Sequence, residues 1–505
     1  MILSKATLKN INGAKVTVPT SEQLNLPEKV LQFGTGVLLR GLPDFLIDKA
    51  NSQGIFNGRI AVVKSTSKGS TAEFDDQDNL YTLCIRGIVN GNNVEENVIS
   101  SSISRVIVAD TDWDAILGIA KSPELKLIVS NTTEVGIQLL EESIQQSPPS
   151  SFPAKLLAVL FERYQAFNGQ ADGALVVIAT ELIPENGKKL EAIVYELATY
   201  NKLDEQFTAW LKANITFCNS LVDRIVPGKP DEETLKKLET ELGYSDNLLS
   251  MAEPYLLWAI EGGSAVSDVL SFASVDEGVV ITEDIELYRE LKVRLLNGTH
   301  TLCSGIAFLS GIETVTNAME KDDLRTYVTQ VMLTEIVPAI PYKVVEKEAV
   351  DFSKKVIDRF SNPHIEHQWI SITAQYTMKL KIRVLPVLFN FYKLKNKAPL
   401  HIAFGFAAYL KFMRSAQQDG KTYFGLLNGV NYPISDDQAS YFQENASVNE
   451  DAYVEQVLRD TAFWGADLSV LNDFINTVQR YYQSISDSGI SIALSALDSS
   501  IQEKN

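Results

Sequence analysis

Residues 29–41 read KVLQFGTGVLLRG, and this stretch decides the expected fold. The apolar run Lys29–Phe33 is typical of a buried strand, and Val37–Asn51 repeats leucine at helical spacing. Between them, Gly34 and Gly36 permit a tight turn and let a phosphate approach the N–H groups that open a helix. A glycine pair in this place indicates a dinucleotide site, but it also suits an ordinary strand-to-helix turn, since the third glycine of the full fingerprint is absent.

The rest of the first half alternates predicted strands and helices. Continuous apolar runs suit strands buried on both faces of a parallel sheet, and they lie at Arg59–Lys64, Lys126–Ser130 and Ala174–Ala179. A hairpin is predicted over Leu80–Val98, turning at Asn90–Gly91, and a helix over Asp112–Lys121. This alternation predicts an α/β fold whose N-terminal, Rossmann-like doubly wound domain covers residues 1–280.

The second half has a helical pattern almost throughout, which predicts a mostly α-helical C-terminal domain over residues 281–505. The predicted helices cover Glu286–Leu309, Asp322–Val337, Glu348–Phe360, Ile370–Phe391, Ala403–Arg414, Ala452–Phe463 and Leu468–Ile485. Prolines 338, 363, 386 and 399 interrupt the pattern.

Composition limits the classes of partner. The formal net charge of −19 repels phosphate backbones and anionic lipid, so we expect neither nucleic acid nor a membrane as partner. An anionic substrate would need a locally basic pocket. Three distant cysteines form no disulfide framework, the N-terminus has no apolar signal region, and no apolar run approaches the roughly 18 residues of a membrane span. These features together predict a cytoplasmic protein.

The stretch Leu291–Thr301 reads LKVRLLNGTHT and carries a lysine, an asparagine and a histidine. Asn297 and His300 lie on one face of the predicted helix, and Lys292 lies two turns before His300. A desolvated lysine is suited to exchange the proton of a hydroxyl, while Asn and His stabilise a developing alkoxide. On spacing alone, the stretch better suits a helix with a surface lysine, a capping asparagine and a structural histidine.

The pair His364 and His367 has the spacing of metal ligands, but no cysteine or further histidine cluster joins it, so we predict no metal site. With Arg359, these histidines are better suited to supply positive charge near a substrate carboxylate. His401 opens an apolar helix and is predicted to be structural.

Several blocks of the chain resemble the polyol-specific long-chain dehydrogenases, the mannitol dehydrogenase family. The blocks are VLQFGTGVLLRG at 30–41, DNLYTLCIRG at 78–87, VSNTTEVGI at 129–137, TELIPENG at 180–187, TFCNSLVDRIVPG at 216–228, KVRLLNGTHT at 292–301 and RFSNPHIEHQ at 359–368. Their order along nearly the whole chain, and the ungapped Lys-x4-Asn-x2-His spacing, favour the catalytic interpretation of the second half.

The resemblance implies a role for each matching residue. Lys292 would be the general acid/base, and Asn297 and His300 would polarise the carbonyl. The positions implied for NAD are Gly34, Gly36, Thr133 and Glu134, and those implied for the sugar are Glu181, Asp223 and Lys379, with Arg359 and His367 nearby.

Two departures from the family pattern concern the substrate. Glu181–Leu182 replaces the usual aspartate–asparagine pair, and Ser371 replaces an arginine of the sugar-alcohol enzymes. Both resemble the branch that acts on sugar acids such as tagaturonate and altronate. We therefore expect hydride transfer between NAD(H) and a sugar acid, with fructuronate or a mannitol-type polyol as alternatives. A nicotinamide-using uronate epimerase and a non-catalytic nucleotide sensor are alternatives of other classes.

Overall fold

The chain folds into two compact units. The structure, a computed structural model, describes residues 1–66, 69–133, 135–414 and 417–502. The first unit comprises residues 1–86 and 93–285, and the second comprises residues 87–92 and 286–505.

Among the described residues, twelve strands lie wholly or mostly in the first unit. They are β1 (Glu28–Phe33), β2 (Arg59–Lys64), β3 (Tyr81–Val89), β4 (Asn92–Ser100), β5 (Ile103–Val108), β6 (Leu127–Ser130), β7 (Leu175–Ala179), β8 (Ile215–Cys218), β9 (Ser220–Asp223), β10 (Ser250–Ala252), β11 (Leu257–Glu261) and β12 (Val279–Thr282). Six of them form a parallel sheet in the order β5-β2-β1-β6-β7-β8. The chain therefore builds outward from β1 in one direction and then from β6 in the other, which is the doubly wound order.

The core of this sheet is apolar on both faces. Leu31 and Phe33 of β1 join one buried cluster, whereas Val30 joins another. Because successive side chains of a strand point to opposite faces, this division requires helices on both sides of the sheet. The strands appear as continuous apolar runs in the sequence because they are buried on both faces.

In the part of the first unit that the structure describes there are nine α-helices: α1 (Val37–Gly41), α2 (Pro43–Ser52), α3 (Ala72–Asp76), α4 (Trp113–Ala120), α5 (Phe152–Ala166), α6 (Asn186–Tyr200), α7 (Glu205–Asn214), α8 (Glu232–Leu242) and α9 (Ser264–Val269). The predicted helix Val37–Asn51 is interrupted at Leu42. Pro43 has no N–H to continue the hydrogen-bond ladder, so a second helix begins there. The Asp112 carboxylate caps α4 by accepting from the Ala115 N–H.

The second unit is mostly helical. Its α-helices are α10 (Glu286–Leu291), α11 (Thr299–Leu309), α12 (Val315–Met319), α13 (Asp322–Gln330), α14 (Glu346–Phe360), α15 (Trp369–Ile372), α16 (Tyr376–Arg383), α17 (Leu385–Lys395), α18 (Leu400–Met413), α19 (Ala439–Glu444), α20 (Glu450–Arg459), α21 (Thr461–Trp464), α22 (Phe474–Ser488) and α23 (Ile490–Gln502). Two π-helical segments, Lys292–Gly298 and Val331–Ile336, continue α10 and α13. Short 3₁₀ turns lie at Leu8–Asn10, Gln23–Asn25, Ala171–Gly173, Ser271–Val275, Val337–Ala339 and Leu468–Val470.

Two features of the second unit differ from the sequence-based expectation. The predicted helix Ile370–Phe391 is three helices, because Gln375 adopts a left-handed backbone conformation and Pro386 begins a new helix. A small antiparallel sheet of β13 (Gln417–Asp419), β14 (Thr422–Leu427) and β15 (Val430–Ile434) was not predicted. The predicted fold class, a Rossmann-like domain followed by a mostly helical domain, is confirmed. Within the described residues, no helix is both long and apolar enough to cross a membrane.

Candidate active site

The glycine turn follows the central strand of the parallel sheet. Gly34 has a φ of +133°, and a Cβ atom there would lie 2.8 Å from the Asn131 carbonyl oxygen. Only glycine fits both the conformation and the close approach. A Cβ at Gly36 would meet nothing within 4 Å, so the space in front of this residue is open. The turn therefore has room for a group that approaches its backbone closely, as a pyrophosphate does.

The loop after β6 lies beside this turn, because β1 and β6 are neighbours and the Asn131 N–H donates to the Phe33 carbonyl at 3.1 Å. The two strands mark the point at which the order of the sheet reverses, where open α/β sheets bind ligands at the carboxyl ends of their strands. Thr133 is exposed in this loop. Glu134, the other cofactor residue predicted here, lies outside the described residues.

The Glu181 carboxylate joins the ends of β6 and β7. It accepts hydrogen bonds from the Thr132 N–H at 2.9 Å, the Thr132 hydroxyl at 3.0 Å and the Ser130 hydroxyl at 3.2 Å. The side chain is 2% exposed. A carboxylate held in this way fixes the loop beside the glycine turn, and its predicted contact with substrate stays a prediction.

Asp223 is the other substrate residue predicted in the first unit. It ends β9, pairs with Leu257 of β11 and is buried.

The end of β2 has no acidic residue. Lys64 is buried, and its ammonium group donates to the Thr66 carbonyl oxygen. The carboxylate that commonly accepts the ribose 2′-hydroxyl of NAD is therefore missing from positions 64–66.

In the second unit, the lysine and asparagine of the predicted catalytic motif lie in a π-helical turn. Lys292 begins the segment and Asn297 lies five residues later, next to its end. In an α-helix, residues five apart point about 140° away from each other. A π-helix makes hydrogen bonds between residues five apart, so it brings such residues towards the same face. The side-chain amide of Asn297 makes no hydrogen bond within the described part of the chain.

His300 follows in α11 and is enclosed by aromatic rings. Its imidazole stacks on Phe360 with ring centroids 4.1 Å apart, and it meets the edges of His367 at 5.3 Å and Trp369 at 6.0 Å. The Nε2 atom is buried and has no hydrogen-bond partner among the described residues. A buried polar atom of this kind fits a site completed by a substrate oxygen.

The protonation state of His300 follows from its surroundings. Burial lowers the pKa of His300 well below its usual range, and nearby basic side chains lower it further. Those side chains are His367, Arg359, Arg383 and Lys379, and burial lowers the pKa of His367 as well. The imidazole is therefore neutral at neutral pH and has one N–H to donate.

A basic cluster, defined here as Arg359, His367, Lys379 and Arg383, is thus assembled around His300. Lys379 and Arg383 lie one turn apart on α16. The pKa of Lys379 is lowered by burial and by the charge of Arg383, although Asp436 opposes the shift. Burial also lowers the pKa of Arg383 to about 10. Neither side chain forms an ion pair with a described carboxylate, which leaves these two cations suited to an external anion.

Sequence reasoning missed Arg294 and Arg383. Arg294 is buried and forms a two-pronged ion pair with Glu290, at 2.9 and 2.8 Å. An arginine four residues after a glutamate is common on helix surfaces, so its spacing alone indicates no particular role. Arg383 had one available signal, namely its position one turn after Lys379.

The remaining candidate residues are Ser371, His364 and His401. Ser371 and His364 are exposed, whereas the buried His401 contacts Glu335, whose carboxylate accepts from the first N–H groups of α18. Among the described residues, no three His, Cys, Asp or Glu side chains form a group that could hold a metal ion.

Family models match both halves of the chain. The model described as the mannitol dehydrogenase Rossmann domain matches residues 28–273, and that described as the mannitol dehydrogenase C-terminal domain matches residues 284–486. The chain belongs to the mannitol dehydrogenase family, as the sequence predicted.

Particular relatives lie within that family. The altronate oxidoreductase of Yersinia enterocolitica is 37% identical over 481 residues, which cover 93% of this chain and 97% of the relative. The altronate oxidoreductase of Bacillus subtilis is 37% identical over 475 residues, which cover 93% and 95%.

Solved structures share the fold. A Pseudomonas fluorescens mannitol 2-dehydrogenase, in ternary complex with NAD and D-mannitol, matches with a TM-score of 0.66 and 23% identity, over 98% of this chain and 99% of that one. A substrate-free D-sorbitol dehydrogenase matches with a TM-score of 0.77 and 22% identity, over 98% and 100%.

Proposed function

We propose that this protein is an NAD(H)-dependent oxidoreductase that interconverts tagaturonate and altronate. The observation that carries the proposal is the basic cluster around a neutral His300, in a chain whose net charge is −19. A cluster of basic side chains beside a carbonyl-polarising motif suits a substrate that carries both a carbonyl group and a carboxylate. The altronate oxidoreductases at 37% identity support the same assignment.

Lys292 is the proton-exchanging group in this proposal. When the carbonyl is reduced, its ammonium group gives a proton to the developing alkoxide; in the reverse direction, its amine removes the hydroxyl proton. The Asn297 amide and the neutral His300 imidazole donate hydrogen bonds to the same oxygen. Because both donors are uncharged, they stabilise the alkoxide without competing for its proton.

The first unit has features that fit a dinucleotide. The turn at Gly34 and Gly36 would hold the pyrophosphate through backbone N–H groups, and the open space at Gly36 admits it. Thr133 would contact the cofactor from the loop after β6. When bound, NAD(H) supplies or accepts the hydride.

The carboxylate of the substrate would bind to the second unit. Lys379, Arg359 and His367 are the proposed contacts, whereas Glu181 and Asp223 would serve sugar hydroxyls. Charge-assisted hydrogen bonds are stronger than neutral ones, so a sugar acid is favoured over a neutral polyol. The exposed Ser371 offers one neutral hydroxyl where the sugar-alcohol enzymes carry an arginine, which is consistent with this preference.

A substrate panel followed by NADH absorbance tests the proposal. Tagaturonate, fructuronate, fructose and mannitol are supplied to the purified protein with NADH or NAD as appropriate, and kcat/KM is compared. We expect tagaturonate to exceed the neutral sugars by about 10–100-fold, which corresponds to one charge-assisted contact of roughly 1.5–3 kcal/mol. Equal efficiency with fructose or mannitol would identify a polyol dehydrogenase. Product epimer without net NADH consumption would identify an epimerase.

A further inference from the structure

We propose that Arg294 and Arg383 are positioning residues that together hold the π-helical turn of Lys292 and Asn297 in its catalytic geometry. Arg294 donates to backbone carbonyl groups of α16, and Arg383 donates to a backbone carbonyl group of the π-helical turn. These mutual contacts are called the clasp. This inference rests on the catalytic roles proposed above for Lys292 and Asn297.

The first half of the clasp runs from the π-helical turn to α16. Arg294 Nη1 donates to the carbonyl oxygens of Ile382, at 2.5 Å, and Arg383, at 3.1 Å. In a continuous helix, the Ile382 carbonyl would accept from the residue four positions later, but that residue is Pro386, which has no N–H. Arg294 therefore supplies a hydrogen bond that the sequence of α16 and α17 cannot supply.

The second half of the clasp runs back from α16 to the catalytic turn. Arg383 Nη1 lies 3.2 Å from the Thr301 hydroxyl oxygen and 3.5 Å from the Asn297 carbonyl oxygen. The Thr301 hydroxyl donates to the same Asn297 carbonyl at 2.8 Å. The backbone of Asn297 is thus fixed by two side chains, while its amide side chain makes no hydrogen bond to any described residue.

A π-helical turn needs such support, because this conformation is rare and usually short. If the turn relaxed to an α-helix, Lys292 would rotate away from the face that carries the Asn297 amide. The Glu290 carboxylate accepts hydrogen bonds from two nitrogens of the Arg294 guanidinium, which fixes the Arg294 side chain relative to α10. Loss of either arginine should therefore misplace the catalytic side chains without removing them.

A double-mutant cycle tests this role. The variants Arg383→Met, Asn297→Ala and their combination are compared for kcat and KM with tagaturonate. We expect Arg383→Met to lower kcat by roughly 10–100-fold with little change in KM, the scale of a misplaced catalytic group. If Arg383 acts through Asn297, its loss should cost little more in the Asn297→Ala background. The control Arg325→Met removes an arginine of α13 that also bonds a carbonyl and should leave kcat unchanged.

Other results would overturn the inference. Single effects that multiply in the double variant would mean that Arg383 does not act through Asn297. A rise in KM for tagaturonate but not for fructose, with kcat unchanged, would make Arg383 a carboxylate ligand instead. Full activity of Asn297→Ala would contradict the proposed catalytic motif, which is a separate failure.

Two further variants apply if Arg383→Met does not fold, as judged by circular dichroism. Arg383→Lys retains one donor and should keep part of the wild-type kcat. Thr301→Val removes the hydroxyl that both Arg383 and Asn297 contact, and it should lower kcat without changing KM. Wild-type kcat in Thr301→Val together with wild-type kcat in Arg383→Lys would contradict the clasp.

Discussion

The neutral state of His300 determines which residue exchanges a proton in the proposed reaction. Burial and the surrounding positive charges hold its pKa well below the usual range, so the imidazole keeps one N–H over the physiological pH range. In the proposed reaction it therefore donates a hydrogen bond and leaves the exchange of the proton to Lys292.

The replacement Lys292→Ala should lower kcat by about 10²–10⁴-fold, because no proton is then delivered to the alkoxide. Steady-state kinetics with tagaturonate measures this loss, and fluorescence titration with NADH should show nearly unchanged cofactor affinity. Lys347→Ala is the matched control, since that lysine is exposed on α14 and pairs with the Asp351 carboxylate. Wild-type turnover by Lys292→Ala would remove the lysine from the mechanism.

Asp44 of α2 gives a prediction about stability. Its carboxyl group is fully buried, and burial raises its pKa to about 8, although a hydrogen bond from Gln32 opposes the shift. Between about pH 4 and pH 8, the folded state therefore keeps a proton that the unfolded state has released. The contribution of Asp44 to the free energy of unfolding therefore falls as pH rises through this window, by at most about 1.4 kcal/mol per pH unit for one proton.

We expect Asp44→Asn to flatten this dependence between pH 6 and pH 8, as measured by urea unfolding at a series of pH values. The exposed Asp351 is a suitable control, because neighbouring lysines lower the pKa of its carboxyl to about 2. Asp351→Asn should leave the slope unchanged in this window. Parallel slopes for wild type and Asp44→Asn would show that Asp44 is ionised in the folded protein.

Among the elements, the end of β2 is where we expect the choice between NAD(H) and NADP(H) to be made. The residues there are Lys64, Ser65 and Thr66, which provide no carboxylate for the ribose 2′-hydroxyl and none to repel a 2′-phosphate. We expect a preference for NAD(H) that is weaker than usual, measured as the ratio of kcat/KM for NADH and NADPH. A preference for NADPH of roughly tenfold or more, about 1.4 kcal/mol in transition-state binding, would contradict the NAD assignment.

Elements that depend on local sequence could be predicted, and those that depend on distant partners could not. The strands at 59–64 and 175–179 followed from their apolar runs, which report burial on both faces. The break at Leu42 required only the rule that proline cannot donate, but the helical spacing of leucine on either side concealed it. The small sheet at 417–434 was missed because its strands are largely exposed and lack a continuous apolar signal.

The same distinction applies to the candidate site. Lys292, Asn297 and His300 were accessible because they lie within nine residues of one another in sequence. Arg383 lies 82 residues beyond Thr301, and only the packing of α11 and α16 brings them together. A π-helical turn also leaves no simple mark on the sequence, because its residues are those of an ordinary helix.

For the whole molecule, the net charge of −19 opposes the binding of an anion, so the basic cluster must overcome it locally. We expect Lys379→Ala to raise KM for tagaturonate by about 10–100-fold and to leave KM for fructose nearly unchanged. Lys393→Ala, which removes an exposed lysine of α17, is the control for the loss of one positive charge. Equal changes in KM for the two substrates would mean that Lys379 does not contact a carboxylate.

The hairpin of β3 and β4 has a consequence for how the gene can be divided. Its tip, residues 87–92, groups with the second unit, where the N–H groups of Asn90 and Gly91 bind the Asp358 carboxylate. The two units are thus interleaved along the chain rather than consecutive, and a single cut near residue 285 would leave six residues in the wrong fragment. A chimera that exchanges the helical half between relatives should therefore include this hairpin tip. Among relatives, substitutions at the position of Asp358 should be accompanied by substitutions in the tip.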